Sequence, residues 1–550
     1  MEGSNLRLLH GTPDDSAQID RLSGTGAIIA VNPGHDGAFA IVKDGKLLLS
    51  VEAEHDSKPR HMPALAYFLL NNISNMNEVP SIICTSGWSD GFPFQSAGTT
   101  YHGTSQHELR IRSSSVFGLK TRLFESTHER SHIFCSYGLS PFPQGEPCYV
   151  LLWEGDIGSF YEIDESLCIR QLKPVLSSPG YKYSFLFDLA DPSAPMGTWN
   201  HDSAGKLMAL AGFSNRTQAT ADELVVIRRI LENVVPPTTD KQLFADTPYL
   251  NCGVTEPRFR ELVAVFSETV FDIFYSYAKT HLIKGYPLLI AGGCGLNCDW
   301  NSKWRDSGLF RDIFVPPVTN DSGSAIGTAI EAQYMCFNNA KVSWTVYSGS
   351  DFVCEGIPEH FVKSDLDYDH VADLLSQDKI IAWVQGRSEI GPRALGNRSL
   401  LAAPFRRTVK DRLNKIKRRE WYRPIAPVCL EEDAKQLFGA EGSSPFMLYF
   451  HHVNTAELDA ITHVDGSARV QTVSSDQNPF LHRLLSAFKR HTGFGVLCNT
   501  SLNRKGRGFM NRSSDLFAFV EEQAIDAVVI NSSLYVPVRS MKMSPAFEVR

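Results

Sequence analysis

A two-domain α/β protein whose larger, N-terminal domain is internally duplicated is what the sequence predicts, and three observations predict it. Residues 26–54, GAIIAVNPGHDGAFAIVKDGKLLLSVEAE, read as strand, glycine turn, strand, Asp44-Gly45 hairpin and a third strand. Residues 148–164, CYVLLWEGDIGSFYEID, repeat that opening with an apolar strand, a glycine-containing turn and a second strand. Two such openings predict two halves with a cleft between them. Near residue 376 the chain starts again, with an apolar strand at Ile380 to Val384 and a mixture of strands and helices beyond it.

Taken in order, residues 1–24 carry charges throughout and no apolar core, so they read as a loose leader and not as a signal peptide. The duplicated domain is expected over 25–350. Its first turn, Gly34-His35-Asp36-Gly37, belongs at the mouth of the cleft, by analogy with the way actin-like ATPase folds (ASKHA) begin. Helices are expected over 220–234 and 258–284, and residues 287–303, PLLIAGGCGLNCDWNSK, read as strand, glycine turn and helix. Residues 351–375 read as a connector with one helix, and 376–550 as the smaller α/β domain.

Composition narrows the function. The chain has 550 residues, enough for several cores, and 43% hydrophobic content, which is globular. Lys plus Arg number 53 against 61 Asp plus Glu, a net charge of -8 that argues against a nucleic-acid partner. No apolar run is long enough for a bilayer, so no membrane partner is expected. The 11 cysteines are scattered, and Cys294 and Cys298 are too far apart for a CxxC knuckle; reduced thiols of a cytoplasmic protein are expected. The oligomeric state is not encoded in any pattern here.

The chemistry concentrates in four places. Residues 383–427 hold Arg387, Arg393 and Arg398 among Gly386, Gly391 and Gly396, then Lys415, Lys417, Arg418, Arg419 and Arg423-Pro424. Bare N–H groups make an anion nest, and guanidinium forks suit phosphate or carboxylate, so a polyanion site is expected. Further on, Asn499-Thr500-Ser501 should follow a strand over 494–498, with the hydroxyls at its end. Second, His128 and His132 stand at i and i+4, on one helical face where both can reach a metal, although such a pair taken alone is more often a surface or satisfied core one. Asp321, in PPVTNDSGSAIGTAIEA, sits at a strand-to-helix junction, able to point into a cleft and to cap Gly323 and its neighbours; two His and an Asp suit Fe(II) or a similar divalent ion. Third, His35 is either a proton acceptor or a turn histidine beside an Asp36 that bonds backbone. Fourth, Gly292 and Gly293 permit close approach to a nucleotide, whose polar edges Asn297 and Asn301 can read.

GRSEIGPRALGNRS (386–399) followed by KRREWYRPIAP (417–427) resembles the C-terminal signature of the O-carbamoyltransferases of natural-product biosynthesis, which include the nodulation-factor, cephalosporin, novobiocin and tobramycin enzymes. THVDGSARVQTV (462–473), SAFKRHTGFGVLCNTSLN (486–503) and the N-terminal motifs extend the resemblance from about residue 24 onward. It implies a Kae1-like domain followed by a YrdC-like one. The latter makes carbamoyl-adenylate from carbamoyl phosphate and ATP, with Mg(2+), on Arg393, Lys417, Arg423, Arg469, Asn499 and Ser501. The former then transfers the carbamoyl group to a hydroxyl of a small molecule, as in antibiotic biosynthesis. By resemblance His128, His132 and Asp321 are the metal ligands, His35 the acid/base, and Gly292, Gly293, Asn297 and Lys206 (in a GKxMGLA-like motif near Asp202) the nucleotide contacts. Two departures stand out. Glu154 replaces an Asp in a turn that only loosely matches a phosphate loop, and Arg507-Gly508 replaces Gly-Glu.

Two other functions share parts of this pattern. A tRNA threonylcarbamoyl-modifying enzyme would have both domain types, and an actin-like nucleotide-binding regulator would not need the His-His-Asp set.

Overall fold

The computed structural model describes residues 26–76, 78–88, 99–116, 118–194, 202–234 and 239–538. The leader expected at 1–24 lies outside them. The first sheet is built from β1 (Ile28–Asn32), β2 (Ala38–Lys43), β3 (Lys46–Glu52), β4 (Ile82–Thr85), β5 (Arg110–Val116) and β6 (Leu119–Glu125), in the order β3-β2-β1-β4-β6-β5. The β2–β3 hairpin turns at Asp44 and Gly45 with φ of 50° and 71°, the conformation that an Asp-Gly hairpin takes. The second sheet uses β7 (Cys148–Trp153), β8 (Gly158–Ile163), β9 (Ile169–Pro174), β10 (Leu288–Ala291) and β11 (Ile313–Phe314), in the order β11-β10-β7-β8-β9. In both sheets the opening strand has an antiparallel hairpin on one side and parallel strands on the other. The duplication read from the two openings is therefore a duplication of topology.

The helices of this part are α1 (Ala66–Ser74), α2 (His128–Leu139), α3 (Pro179–Ala190), α4 (Ser203–Ala211), α5 (Ala221–Asn233), α6 (Pro257–His281), α7 (Cys298–Asp306) and α8 (Ser322–Phe337). Helix α5 starts on a capping box, Thr220 with Glu223, and α6 starts with a proline, as the sequence signals require. One core, including Ile28, Ala30, Ile133, Val150, Leu152, Ile326 and Ile330, joins α2 and α8 to both sheets. These two helices cross closely: a Cβ at Gly327 would lie 1.8 Å from the Ser131 carbonyl oxygen. The glycine of the DSGSAIG run is thus a packing requirement, and the close crossing sets the start of α8 beside the start of α2.

The third sheet has the order β12-β21-β20-β13-β14-β19-β15-β18, from β12 (Phe361–Asp365), β13 (Ile381–Val384), β14 (Arg398–Ala402), β15 (Ala426–Leu430), β18 (Gln471–Val473), β19 (Val496–Ser501), β20 (Ala527–Ile530) and β21 (Ser533–Pro537). A separate ribbon pairs β16 (Phe450–His452) with β17 (Ser467–Arg469). Alternation is strict along β13. Ile381 and Trp383 join one core with Val371 and Leu375 of α9 (Tyr368–Ser376), and Ala382 and Val384 join the opposite one. Residues 351–375 are accordingly more than a connector. They hold an edge strand paired with β21 and most of a helix whose apolar face is buried on the third sheet. The sequence concealed this because an edge strand, Phe361–Asp365, exposes four of its five side chains. Among the described residues no helix is long and apolar enough to cross a membrane.

Candidate active site

Helix α2 begins at His128, capped by the Thr127 hydroxyl, and is buried along its whole length. Its two histidines turn their Nε2 atoms to within 3.1 Å of each other. Glu154, just past β7, brings Oε2 to 3.4 Å from His128 Nε2 and 3.0 Å from His132 Nε2. Asp321, just before α8, brings Oδ1 to 3.8 and 3.3 Å from the same atoms. One ligand atom from each of the four lies within 4.8 Å of the other three, all buried. Two imidazole nitrogens so close together are a poor arrangement for protons and a good one for a divalent cation, and an N₂O₂ donor set fits a borderline ion such as Fe(II). Burial would strip the charges, but the imidazoles hold Glu154 well below the usual carboxylate range. Asp321 makes no capping hydrogen bond at α8; its carboxylate is spent on the cluster.

His35 stands beside this group, with Nε2 3.4 Å from Asp321 Oδ2 and Nδ1 3.8 Å from Asp36 Oδ2. Asp36 in turn pairs with His61 Nδ1 at 2.6 Å. Burial disfavours a charged His35, yet Asp321, Asp36 and Glu154 together raise it to about 9. Trp88 meets His35 and His128 edge-on, and Tyr101 stacks on His128 while donating to Glu154 Oε1 at 2.8 Å. His35, Asp36, His61, Tyr101, Glu154 and Asp321 border a cavity of about 250 Å³, also lined by Arg60, Tyr181, Gly293, Asn297 and Arg393.

Of the nucleotide set, Gly293 borders that cavity with nothing within 4 Å of an added Cβ, whereas Gly292 is pressed against the Trp153 carbonyl. Asn297 lines the cavity while its Oδ1 caps α7. Asn301 is buried with its amide on the carbonyls of Gly295 and Leu448, and so holds structure. Lys206 stands outside the cavity lining, 3.5 Å from Glu420 in the third-sheet domain.

The second site is a cavity of about 760 Å³ lined on one side by Arg393, Arg419, Arg423 and Arg469. Burial and mutual repulsion lower Arg393 and Arg419 to about 9, and lower Arg423 as well. An anion entering here would relieve both. Arg419, present in the basic run but not singled out in it, is oriented by Asn414, whose Oδ1 accepts from its Nε at 2.6 Å. The neighbouring arginines differ. Arg387 donates to the carbonyls of Gly349, Leu48 and Ser348, and Arg398 lies in β14 with its guanidinium on Gln385, Asn397, Gly386 and Ser350 carbonyls. Backbone consumes both, so the expected anion nest reduces to Arg393.

Asn499, Thr500 and Ser501 are the last residues of β19, inside the strand and not beyond it. Lys417 Nζ donates to the Ser501 and Asn503 carbonyls at 2.6 Å each and to the Asn503 side chain. Burial, helped by Arg419 and Arg60, pushes this lysine well below its ordinary value. Asn499 donates to Ala394 O and Gln471, and its buried Oδ1 has no partner among the described residues. Arg507-Gly508, where the signature has Gly-Glu, docks on the other domain: the Gly508 N–H donates to Lys58 O at 3.0 Å. Arg393 and Arg423 border both cavities.

The chain is similar to known proteins along most of its length. The model of the carbamoyltransferase N-terminus matches residues 109–330, and that of the carbamoyltransferase C-terminus matches 372–536. A 3'-hydroxymethylcephem-O-carbamoyltransferase of Amycolatopsis lactamdurans is 46% identical over 92% of this chain and 99% of its own length. The Streptomyces clavuligerus protein of the same name is 44% identical over 92% and 98%. Nodulation protein U of Rhizobium fredii is 32% identical over 90% and 93%.

Proposed function

The chain belongs to the carbamoyltransferase family of transferases, and on that premise we propose that it is an ATP-dependent O-carbamoyltransferase that works through carbamoyl-adenylate. The supporting observation is the shared border: Arg393 and Arg423 face the arginine-lined cavity and the His35 cavity alike. An anhydride made on one side has only to turn about these guanidinium groups to reach the other, with little exposure to water. In this reading the duplicated domain is the actin-like, Kae1-like transferase and the third-sheet domain is the YrdC-like activator.

Atom balance dictates the first half. Water cleaves carbamoyl phosphate to carbamate and phosphate; a carbamate oxygen then attacks the α-phosphorus of ATP and pyrophosphate leaves. The arginines bind the phosphoryl groups, and Lys417, which donates to the Ser501 carbonyl and to Asn503, holds the end of β19 in place. In the second half the acceptor oxygen attacks the carbamoyl carbon, AMP departs with the bonding pair, and the hydroxyl proton passes to His35 Nε2. His128, His132, Glu154 and Asp321 would hold the divalent ion, which would supply Lewis acidity toward the carbamoyl oxygen. Asp321 is the first of the charges that raise His35, so a cation held there would lower the imidazole toward the range where it accepts a proton. The names of the two cephem relatives point to a hydroxymethyl group as acceptor.

The test is direct. Purified protein given ATP, magnesium, carbamoyl phosphate and a 3-hydroxymethylcephem should release AMP and yield a product heavier by one carbamoyl group. Carbamoyl transfer without AMP release would sink the adenylate route. Pyrophosphate release with no carbamoylated product would mean a different acceptor. A second expectation concerns His35. His35→Asn should slow single-turnover transfer from supplied carbamoyl-adenylate by roughly 10²–10⁴-fold and leave carbamoyl-phosphate-dependent pyrophosphate release on activation intact; transfer at the parent rate would show that His35 only shapes its turn.

A further inference from the structure

Two buried carboxylates of the duplicated domain have no part in this chemistry. Glu52 is the last residue of β3, and Glu54 follows two positions on; both are buried. Glu54 accepts from the His61 N–H at 3.0 Å and stands 3.8 Å from Arg60, so it organises the His35 side. Glu52 reaches the other way. Its Oε1 accepts the N–H of Gly391 at 2.9 Å, across the domain boundary. Arg393 is two residues beyond that amide.

The loop carrying Arg393 is fixed on both sides of it. At the far end Glu389 Oε1 accepts three main-chain N–H groups, those of Leu395, Asn397 and Arg398, and Asn499 donates to Ala394 O at 3.0 Å. At the near end the Ile390 N–H donates to Val346 O at 2.8 Å, and Gly391, at φ +85°, is wedged so that a Cβ would sit 2.3 Å from Pro317 O of the duplicated domain. Glu52 completes that wedge. Among the described residues Arg393 itself makes one long bond, Nη2 to Leu296 O at 3.4 Å, and its buried Nε makes no hydrogen bond. Its guanidinium is therefore aimed by the loop and not by partners of its own.

We infer that Glu52 is a positioning residue: from the duplicated domain it sets the loop that places Arg393 in the anion site of the other domain. The inference rests on the proposed anion role of Arg393. A carboxyl buried two residues from another is costly, and a lone structural amide could be met by any backbone carbonyl. Burial, with Glu54 and Asp36 nearby, raises Glu52 to about 8, so a neutral side chain of the same shape should serve.

The test is a double-mutant cycle on the full-length protein, read as carbamoyl phosphate affinity by calorimetric titration. Glu52→Ala and Arg393→Ala should each weaken binding, Glu52→Ala by about 10- to 100-fold, as misplacing a binding group by an ångström does. The double variant should bind no worse than Arg393→Ala. Glu52→Gln should bind within about threefold of the parent, because it keeps the acceptor for Gly391. If Glu52→Ala fails to fold, Glu52→Asp takes its place, since a side chain one methylene shorter loses the contact. Unchanged affinity in the Ala or Asp variant, or multiplicative losses in the double variant, would overturn the positioning role. A parent that binds carbamoyl phosphate while Arg393→Ala binds equally well overturns the anion role of Arg393, and this inference with it.

Discussion

Glu154→Ala and His132→Ala are each expected to lose bound divalent metal and to cut carbamoyl transfer by about 10³-fold or more, which corresponds to the several kcal/mol a Lewis-acidic ion contributes. Carbamoyl-phosphate-dependent pyrophosphate release on activation should continue in both. The four ligand atoms lie within 4.8 Å of one another, so losing one leaves three; in Glu154→Ala the survivors include a pair of imidazole nitrogens 3.1 Å apart. Glu154 is the sharper case because its Oε2 is the carboxylate oxygen nearest both histidines. Glu154→Asp should retain metal, since related signatures carry Asp at this turn. Elemental analysis of the purified variants, paired with single-turnover transfer from supplied carbamoyl-adenylate, separates binding from chemistry. Full metal occupancy in Glu154→Ala would remove Glu154 from the ligand set.

The opposite pattern is expected of Lys417→Ala. Activation should fall by roughly 10²-fold, as when a binding group is misplaced by about an ångström, while supplied carbamoyl-adenylate is still transferred. Lys417 lines neither cavity; buried against the end of β19 and Asn503, it holds Ser501 in the activating domain. Arg393→Ala should not separate the steps so cleanly. Arg393 borders both cavities, so its loss is expected to depress transfer as well as pyrophosphate release. Rates of pyrophosphate release and of adenylate consumption measured side by side make the comparison. If Lys417→Ala slowed both steps equally, the assignment of this lysine to activation would fail.

Much of the site was legible because local chemistry placed it. The i, i+4 spacing of His128 and His132 needs only a helix to bring two imidazoles together, and α2 supplies it. Asp44-Gly45 needs only its own φ angles to make a hairpin. What failed to be legible depended on which partner a side chain would meet. Arg387, Arg393 and Arg398 are alike in sequence. The first and last find backbone carbonyls and become structural, while Arg393 faces open space. Asn297 and Asn301 part company in the same way, one at a cavity and the other buried against Leu448. Glu154 looked like part of a phosphate turn, and only its neighbours across the cleft make it a metal-type ligand.

The sequence by itself determined the duplicated openings, the basic run, the histidine pair and the family signature, because each rests on residues close together along the chain. The tertiary structure decided the rest. It brought α2, β7 and α8 to one point through a helix crossing that Gly327 allows, and it set Arg393 and Arg423 on the border of two cavities. It also laid Glu52 against a loop 339 residues away. The physical reason is that a hydrogen bond or an ion pair depends on distances of a few ångströms, and between residues far apart in the chain such distances are set by packing and not by spacing.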